Sequence, residues 1–218
     1  MERPLSSYID HTLLRPDATK DNIEKLCEEA KQFQFACVCV NPAWAEYAYS
    51  LLKDSSIKLC SVVGFPLGGS TSEMKSSEAN QLVKFGVDEI DMVLNIGALK
   101  SKKYDQVRLD IQAVVVSSQP SIVKVIIEIC LLTDDEKKDA CLLCIEAGAH
   151  FVKTSTGFSK SGATLHDIKL IRSIVGPDFG IKASGGISEK SFALELIQSG
   201  ATRIGTSRGV EIVAPGRL

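Results

Sequence analysis

Lys124, Lys153 and Lys182 each interrupt a short, β-rich apolar run. Lysine is among the residues least often fully buried, so a lysine in each of three consecutive strand candidates calls for a reason. Burial beside a second ammonium favours the neutral amine, and a neutral amine attacks carbonyl carbon. Two lysines on neighbouring strands meet that need, one as nucleophile and the other as the cation that depresses it. A phosphate or carboxylate partner is the simpler explanation for any one of them. Other polar residues fall on the same alternation of their runs: Asp10 and Thr12, Cys39 and Asn41, Asp91 and Asn95, Glu128, Ser155 and Ser184. Unpaired charge inside a barrel costs several kcal/mol, so this pattern implies a polar pocket or a network of internal ion pairs.

A second group is rich in glycine. Thr154-Ser-Thr-Gly157, Gly185-Gly186 and Gly205-Thr-Ser207 each stand at the end of a strand candidate. Backbone N–H groups at such turns bind phosphate, and several turns at successive strand ends imply a phosphorylated ligand. Gly64-Phe-Pro-Leu-Gly-Gly69 reads instead as a shaped loop over the same end. The three histidines suggest little. His11 alternates with Asp10 and Thr12 and should face outward, and no Ser–His–Asp order is present. Cys141 and Cys144 form a CxxC, but within a helical pattern and without a second ligand pair, so two small packed residues and no metal are expected.

These residues need a scaffold that gathers strand ends. Strand patterns occur at residues 8–13, 35–41, 58–64, 89–96, 123–129, 150–156, 180–184 and 203–206. Helical patterns lie between them, near 20–33, 43–53, 73–85, 105–117, 134–147, 165–175 and 189–199. Thr133-Asp-Asp-Glu136 is a capping box, and Thr164-x-x-Asp167 is a weaker one. Gly86, Gly148 and Gly200 each fall between a helix and the next strand, where a left-handed residue ends a helix. Alternation of this kind demands parallel strands joined by right-handed crossovers. A doubly wound open sheet would satisfy it, but eight near-regular units favour a closed α/β barrel, a single-domain (β/α)8 TIM barrel over residues 1–218. Its site belongs at the C-terminal ends of the strands.

Composition excludes several classes. Lys and Arg total 25 against 27 Asp and Glu, so neither nucleic acid nor a membrane surface is an expected partner. No apolar run approaches the roughly 20 residues that span a bilayer. The N-terminus has no apolar signal core, and seven irregularly spaced cysteines suggest reduced thiols, so a cytoplasmic location is expected.

In order along the chain stand Ile9-Asp-His-Thr-Leu-Leu14, Ala36-Cys-Val-Cys-Val-Asn-Pro42, Val63-Gly-Phe-Pro-Leu-Gly68 and Glu89-Ile-Asp-Met-Val-Leu-Asn-Ile-Gly97. Lys124-Val-Ile-Ile-Glu128, Phe151-Val-Lys-Thr-Ser-Thr-Gly-Phe158, Gly180-Ile-Lys-Ala-Ser-Gly-Gly-Ile187 and Gly205-Thr-Ser207 follow. With these segments the chain resembles the 2-deoxyribose-5-phosphate aldolase family over nearly its whole length. The Lys-Thr-Ser-Thr-Gly and Lys-Ala-Ser-Gly-Gly segments are highly specific as a pair. The resemblance implies a (β/α)8 barrel and a class I, Schiff-base aldolase with no metal and no cofactor. It implies cleavage of 2-deoxyribose 5-phosphate to glyceraldehyde 3-phosphate and acetaldehyde, in deoxyribose phosphate catabolism, by a homodimer or larger homo-oligomer.

By the same resemblance Lys153 forms the imine, while Asp91 and Lys182 take part in proton transfer. Lys124 and Glu128 would form a supporting ion pair, and Asp10, Thr12 and Cys39 would line the substrate pocket. Gly157, Gly185, Gly186, Gly205, Thr206 and Ser207 would hold the phosphate. Three features depart from the family pattern. Ile129 stands where many relatives have Thr, and Arg208 follows the Gly-Thr-Ser turn where a small residue is common. The residues up to Arg217-Leu218 do not match the tyrosine-bearing tail of some members. Two rival readings remain open: a Schiff-base aldolase with another donor, and a silent barrel that only binds a sugar phosphate.

Overall fold

The computed structural model describes residues 3–214, so Arg217 and Leu218 lie outside the described residues. Eight strands form the sheet: β1 (Ile9–Leu13), β2 (Cys37–Val40), β3 (Lys58–Val63), β4 (Glu89–Val93), β5 (Ile122–Ile126), β6 (Phe151–Lys153), β7 (Gly180–Ser184) and β8 (Arg203–Thr206). All pairings are parallel, and β1 pairs with both β2 and β8, which closes the barrel. The helices are α1 (Lys20–Phe33), α2 (Ala45–Leu52), α3 (Ser72–Lys84), α4 (Ile96–Lys100), α5 (Tyr104–Ser117), α6 (Asp134–Glu146), α7 (Leu165–Val175), α8 (Lys190–Gln198) and α9 (Gly209–Val213).

Local sequence accounts for many element ends. Thr133 Oγ1 accepts from the Glu136 N–H and the Glu136 carboxylate accepts from the Thr133 N–H, the reciprocal cap expected at α6. Thr19 and Asn22 do the same at α1, and Thr71 and Thr164 cap α3 and α7. Gly86, Gly148 and Gly200 have φ of 83°, 79° and 117°, a region that side chains with a Cβ rarely enter. Cys141 and Cys144 are unpaired and buried on α6, with no disulfide between them.

Several strands end earlier than alternation suggests. β4 stops at Val93, because Asn95 turns away and its side chain caps α4 by accepting from the Ala98 N–H. β5 stops at Ile126 and β6 at Lys153. The residues that follow leave the ladder and build the C-terminal mouth. Asn41, also expected inside the barrel, donates to the Leu14 carbonyl in the first βα connection.

The main apolar core lies between sheet and helices, where Ile9, Val38, Leu59, Ile90, Val123, Val152, Ile181 and Ile204 are buried. The opposite alternation faces the barrel interior. A small apolar cluster occupies part of it, with Leu14, Cys37, Cys39, Cys60 and Val62 on the β1–β3 side. Across from that cluster the interior is charged.

Candidate active site

Strand register stacks the charged residues. Asp91 is level with Lys124 across β4 and β5, and Lys153 is level with Lys182 across β6 and β7. The side chains converge on Asp91. Its Oδ2 accepts from Lys153 Nζ at 2.8 Å and from Lys182 Nζ at 2.7 Å. Its Oδ1 accepts from Lys124 Nζ at 2.7 Å and from the Cys60 thiol at 3.2 Å. Below this layer Lys182 also pairs with Asp10 at 2.5 Å and Lys124 with Glu89 at 2.7 Å. Arg203 closes the network by reaching both Asp10 and Glu89.

Four cations, Lys124, Lys153, Lys182 and Arg203, thus face three carboxylates, Asp10, Glu89 and Asp91. Each group is nearly or fully removed from water, so the Coulomb terms act with little screening. Burial alone would raise the Asp91 carboxyl, but Lys124, Lys153 and Lys182 outweigh it and hold Asp91 well below the usual carboxylate range. Burial would likewise lower Lys182, yet Asp10 and Asp91 together hold it well above the ordinary lysine value. Lys124 is raised in the same way, against burial, chiefly by Asp91. Lys153 differs in having one carboxylate partner where Lys124 and Lys182 have two.

Above the network opens a cavity of about 840 Å³ at the C-terminal ends of the strands. Lys153 lies on its wall, together with Gly157, Gly185, Gly186, Gly205, Thr206 and Ser207. Gly157, Gly185 and Gly186 have φ of 87°, 89° and 72°. Gly185 also packs against the backbone at Gly162, where an added Cβ would meet Cα at 2.8 Å. Phe65, from the loop after β3, packs edge-on against Phe158 at 5.3 Å beside this mouth.

The structure separates residues that the sequence reading grouped together. Thr12 lines the cavity, whereas Asp10, Cys39, Lys124 and Glu128 do not reach it. Asp10, Cys39 and Lys124 are fully buried below. Asp91 and Lys182 also lie beneath the wall, behind Lys153. The expected Lys124–Glu128 pair does not form, since Glu89 and Asp91 take the lysine. Glu128 instead accepts from the Thr156 N–H and hydroxyl, which ties the end of β5 to the turn bearing Gly157.

Glu89, Arg203 and Cys60 complete the network and were not singled out by the sequence. The signal was available, because Glu89 precedes Asp91 by two residues on the same alternation. His11 faces outward as expected. Its Nε2 lies 2.8 Å from the Glu29 carboxylate and its ring tilts over Phe35 at 5.1 Å, while its edge also borders the cavity.

Two interior clusters bring enough ligand atoms together for a metal ion: Cys39, Cys60 and Asp91, and Asp10, Cys37 and Glu89. Neither suits one. Lysine and arginine already occupy the carboxylates. Burial pushes the Cys37 thiol well up, and hydrogen bonding to Cys60 with burial does the same to Cys39, so neither of these two offers the thiolate a metal needs. The remaining sulfur, Cys60, is brought down to about 5 but is already taken by Lys124 Nζ at 3.5 Å. In the surface cluster of Asp134, His166 and Asp167, Lys137 bridges the two carboxylates.

Comparison with known proteins gives the same direction. The model of the DeoC/LacD family aldolases matches residues 5–213. A deoxyribose-phosphate aldolase of Streptococcus sanguinis is 56% identical over 209 residues, covering 96% of this chain and 95% of that protein. One from Halalkalibacterium halodurans is 56% identical over 98% of this chain and 96% of its own length. Among solved structures, the deoxyribose phosphate aldolase of Aeropyrum pernix superposes with a TM-score of 0.90. It is 34% identical, covers 96% of this chain and 89% of its own, and is described as a tetramer. The match to the family model and the near full-length identity to these proteins show that the chain belongs to the DeoC/LacD family of aldolases.

Proposed function

We propose that the chain cleaves 2-deoxy-D-ribose 5-phosphate reversibly to D-glyceraldehyde 3-phosphate and acetaldehyde, through an imine on Lys153. The carrying observation is placement: of the three interior lysines, Lys153 alone lies on the wall of the cavity that also bears the glycine turns. Lys124 and Lys182 are closed off and held as cations by two carboxylates each.

The neutral Lys153 amine adds to the C1 aldehyde, and loss of water gives a protonated imine that serves as electron sink. A base then takes the C3 hydroxyl proton, the C2–C3 bond breaks, and its electron pair enters the imine as an enamine. Glyceraldehyde 3-phosphate leaves. Protonation of the enamine at C2 and hydrolysis of the imine release acetaldehyde and regenerate the amine. Asp91 and Lys182 are the proposed proton carriers. In the resting site two lysines bind Asp91 Oδ2. Imine formation leaves Lys153 with a single N–H, which loosens that hold and makes the carboxylate more basic when a proton must be taken up.

The phosphate would sit on the turns at Gly157, Gly185 and Gly186 and at Gly205, Thr206 and Ser207, on the same cavity wall. We also propose a homo-oligomer, supported by the tetrameric relative, and a place in deoxyribose phosphate catabolism. A cytoplasmic location is supported by seven cysteines that are all unpaired. No helix of the described residues is long and apolar enough to cross a membrane.

Borohydride reduction with acetaldehyde, followed by peptide mass spectrometry, tests the mechanism. A two-carbon adduct confined to Lys153 is the expected result. An adduct on Lys182 would reverse the two roles. No adduct on a folded protein that binds 2-deoxyribose 5-phosphate would leave only a silent sugar-phosphate binder.

A further inference from the structure

Arg208 stands next to Ser207 on the cavity wall, exposed at its rim. The other cations on that wall are all engaged. Arg15 pairs with Asp17 at 3.5 Å, Lys25 with Glu29 at 3.8 Å, and Lys153 with Asp91 at 2.8 Å. Glu29 also takes His11. The Arg208 guanidinium makes no ion pair and no hydrogen bond to any described residue, although its backbone is fixed. Its N–H donates to Thr206 Oγ1 at 3.0 Å, and the residue opens α9. A tethered arginine with free donors thus stands beside a turn whose own contribution to anion binding is neutral backbone N–H groups and hydroxyls.

We infer that Arg208 is a specificity-determining residue of this chain, which closes on the substrate phosphate and sets the preference for phosphorylated over unphosphorylated sugar. The inference rests on the proposed function. A planar guanidinium binds phosphate with two parallel charge-assisted hydrogen bonds, which a small hydroxyl side chain cannot supply. Exposed beside the proposed phosphate turn, it discriminates by binding and not by chemistry.

The test compares wild type with Arg208→Gln and Arg208→Lys on 2-deoxyribose 5-phosphate and on 2-deoxyribose. Arg208→Gln should lower the ratio of the two kcat/KM values by about tenfold, through KM for the phosphorylated sugar, as expected for one charge-assisted contact at a wet site. The inhibition constant of inorganic phosphate should rise by a similar factor, and Arg208→Lys should recover part of both. A ratio and a phosphate inhibition within about twofold of wild type would overturn the inference, as would equal losses on both sugars. If wild type cleaves neither sugar, the proposed function fails but this inference is still decided. Calorimetry with inorganic phosphate then asks whether Arg208→Gln binds more weakly than wild type, and equal affinity would overturn it.

Discussion

Lys153 and Lys182 touch the same oxygen of Asp91, yet removing them should have very unequal consequences for stability. The interior network carries one more cation than carboxylate when every member is charged. Lys153→Met removes the surplus charge and leaves three cations on three carboxylates. Asp91 would keep Lys124, Lys182 and the Cys60 thiol. The lost Coulomb attraction is then set against an ammonium that no longer has to be desolvated, so the net change should be within about 1 kcal/mol. Lys182→Met takes the direct lysine contact from Asp10 and one from Asp91, inside a fully buried layer. Breaking a buried pair in this way costs about 3–5 kcal/mol. For a chain of this size that is a fall in Tm of roughly 6–20 °C, at about 2–4 °C per kcal/mol. Thermal and urea unfolding near pH 7.5 read the stabilities, and cleavage of 2-deoxyribose 5-phosphate reads the activities. Both variants should lose turnover, with Lys153→Met remaining close to wild type in stability. If Lys153→Met is destabilised as strongly as Lys182→Met, the charge count is wrong and Lys153 is a structural member of the network.

Two further outcomes follow from the geometry. Burial would raise the Asp10 carboxyl, but Lys182 and Arg203 bring it down from 3.8 to about 2, which corresponds to about 2 kcal/mol of stability. Because the folded-state value is the lower one, this contribution is complete above about pH 4 and is lost as the pH falls toward 2. The stability gap between wild type and Asp10→Asn, measured by urea unfolding, should therefore narrow as the pH falls below 4; a gap independent of pH contradicts the assignment. Ser207→Glu places an anion on the glycine-turn wall and should raise KM for 2-deoxyribose 5-phosphate about tenfold or more, while borohydride trapping with acetaldehyde changes little. Equal loss in the two assays would remove the phosphate from those turns.

Much of this protein is legible without coordinates. The alternation in the runs around Asp10, Asp91, Lys124, Lys153 and Lys182 sets one face of each strand apart from the apolar face that meets the helices. The glycine stops and threonine caps mark where helices end and begin. Both are local signals, written within a few residues, and together with the family motifs they determine the barrel and its polar interior. Partner choice among those polar residues is another matter. Lys124 chooses Glu89 and Asp91 over Glu128 because the register and tilt of β4 against β5 bring those carboxylates within 2.7 Å, while Glu128 lies beyond the end of β5 and turns to Thr156. Depth was hidden for the same reason. Alternation says that a side chain points inward, but only closure of the barrel decides that Lys153 reaches the cavity while Asp10, Cys39 and Lys124 are sealed beneath it. Which of three similar lysines can meet a substrate is thus a property of the closed sheet, because depth along the barrel axis depends on all eight strands at once.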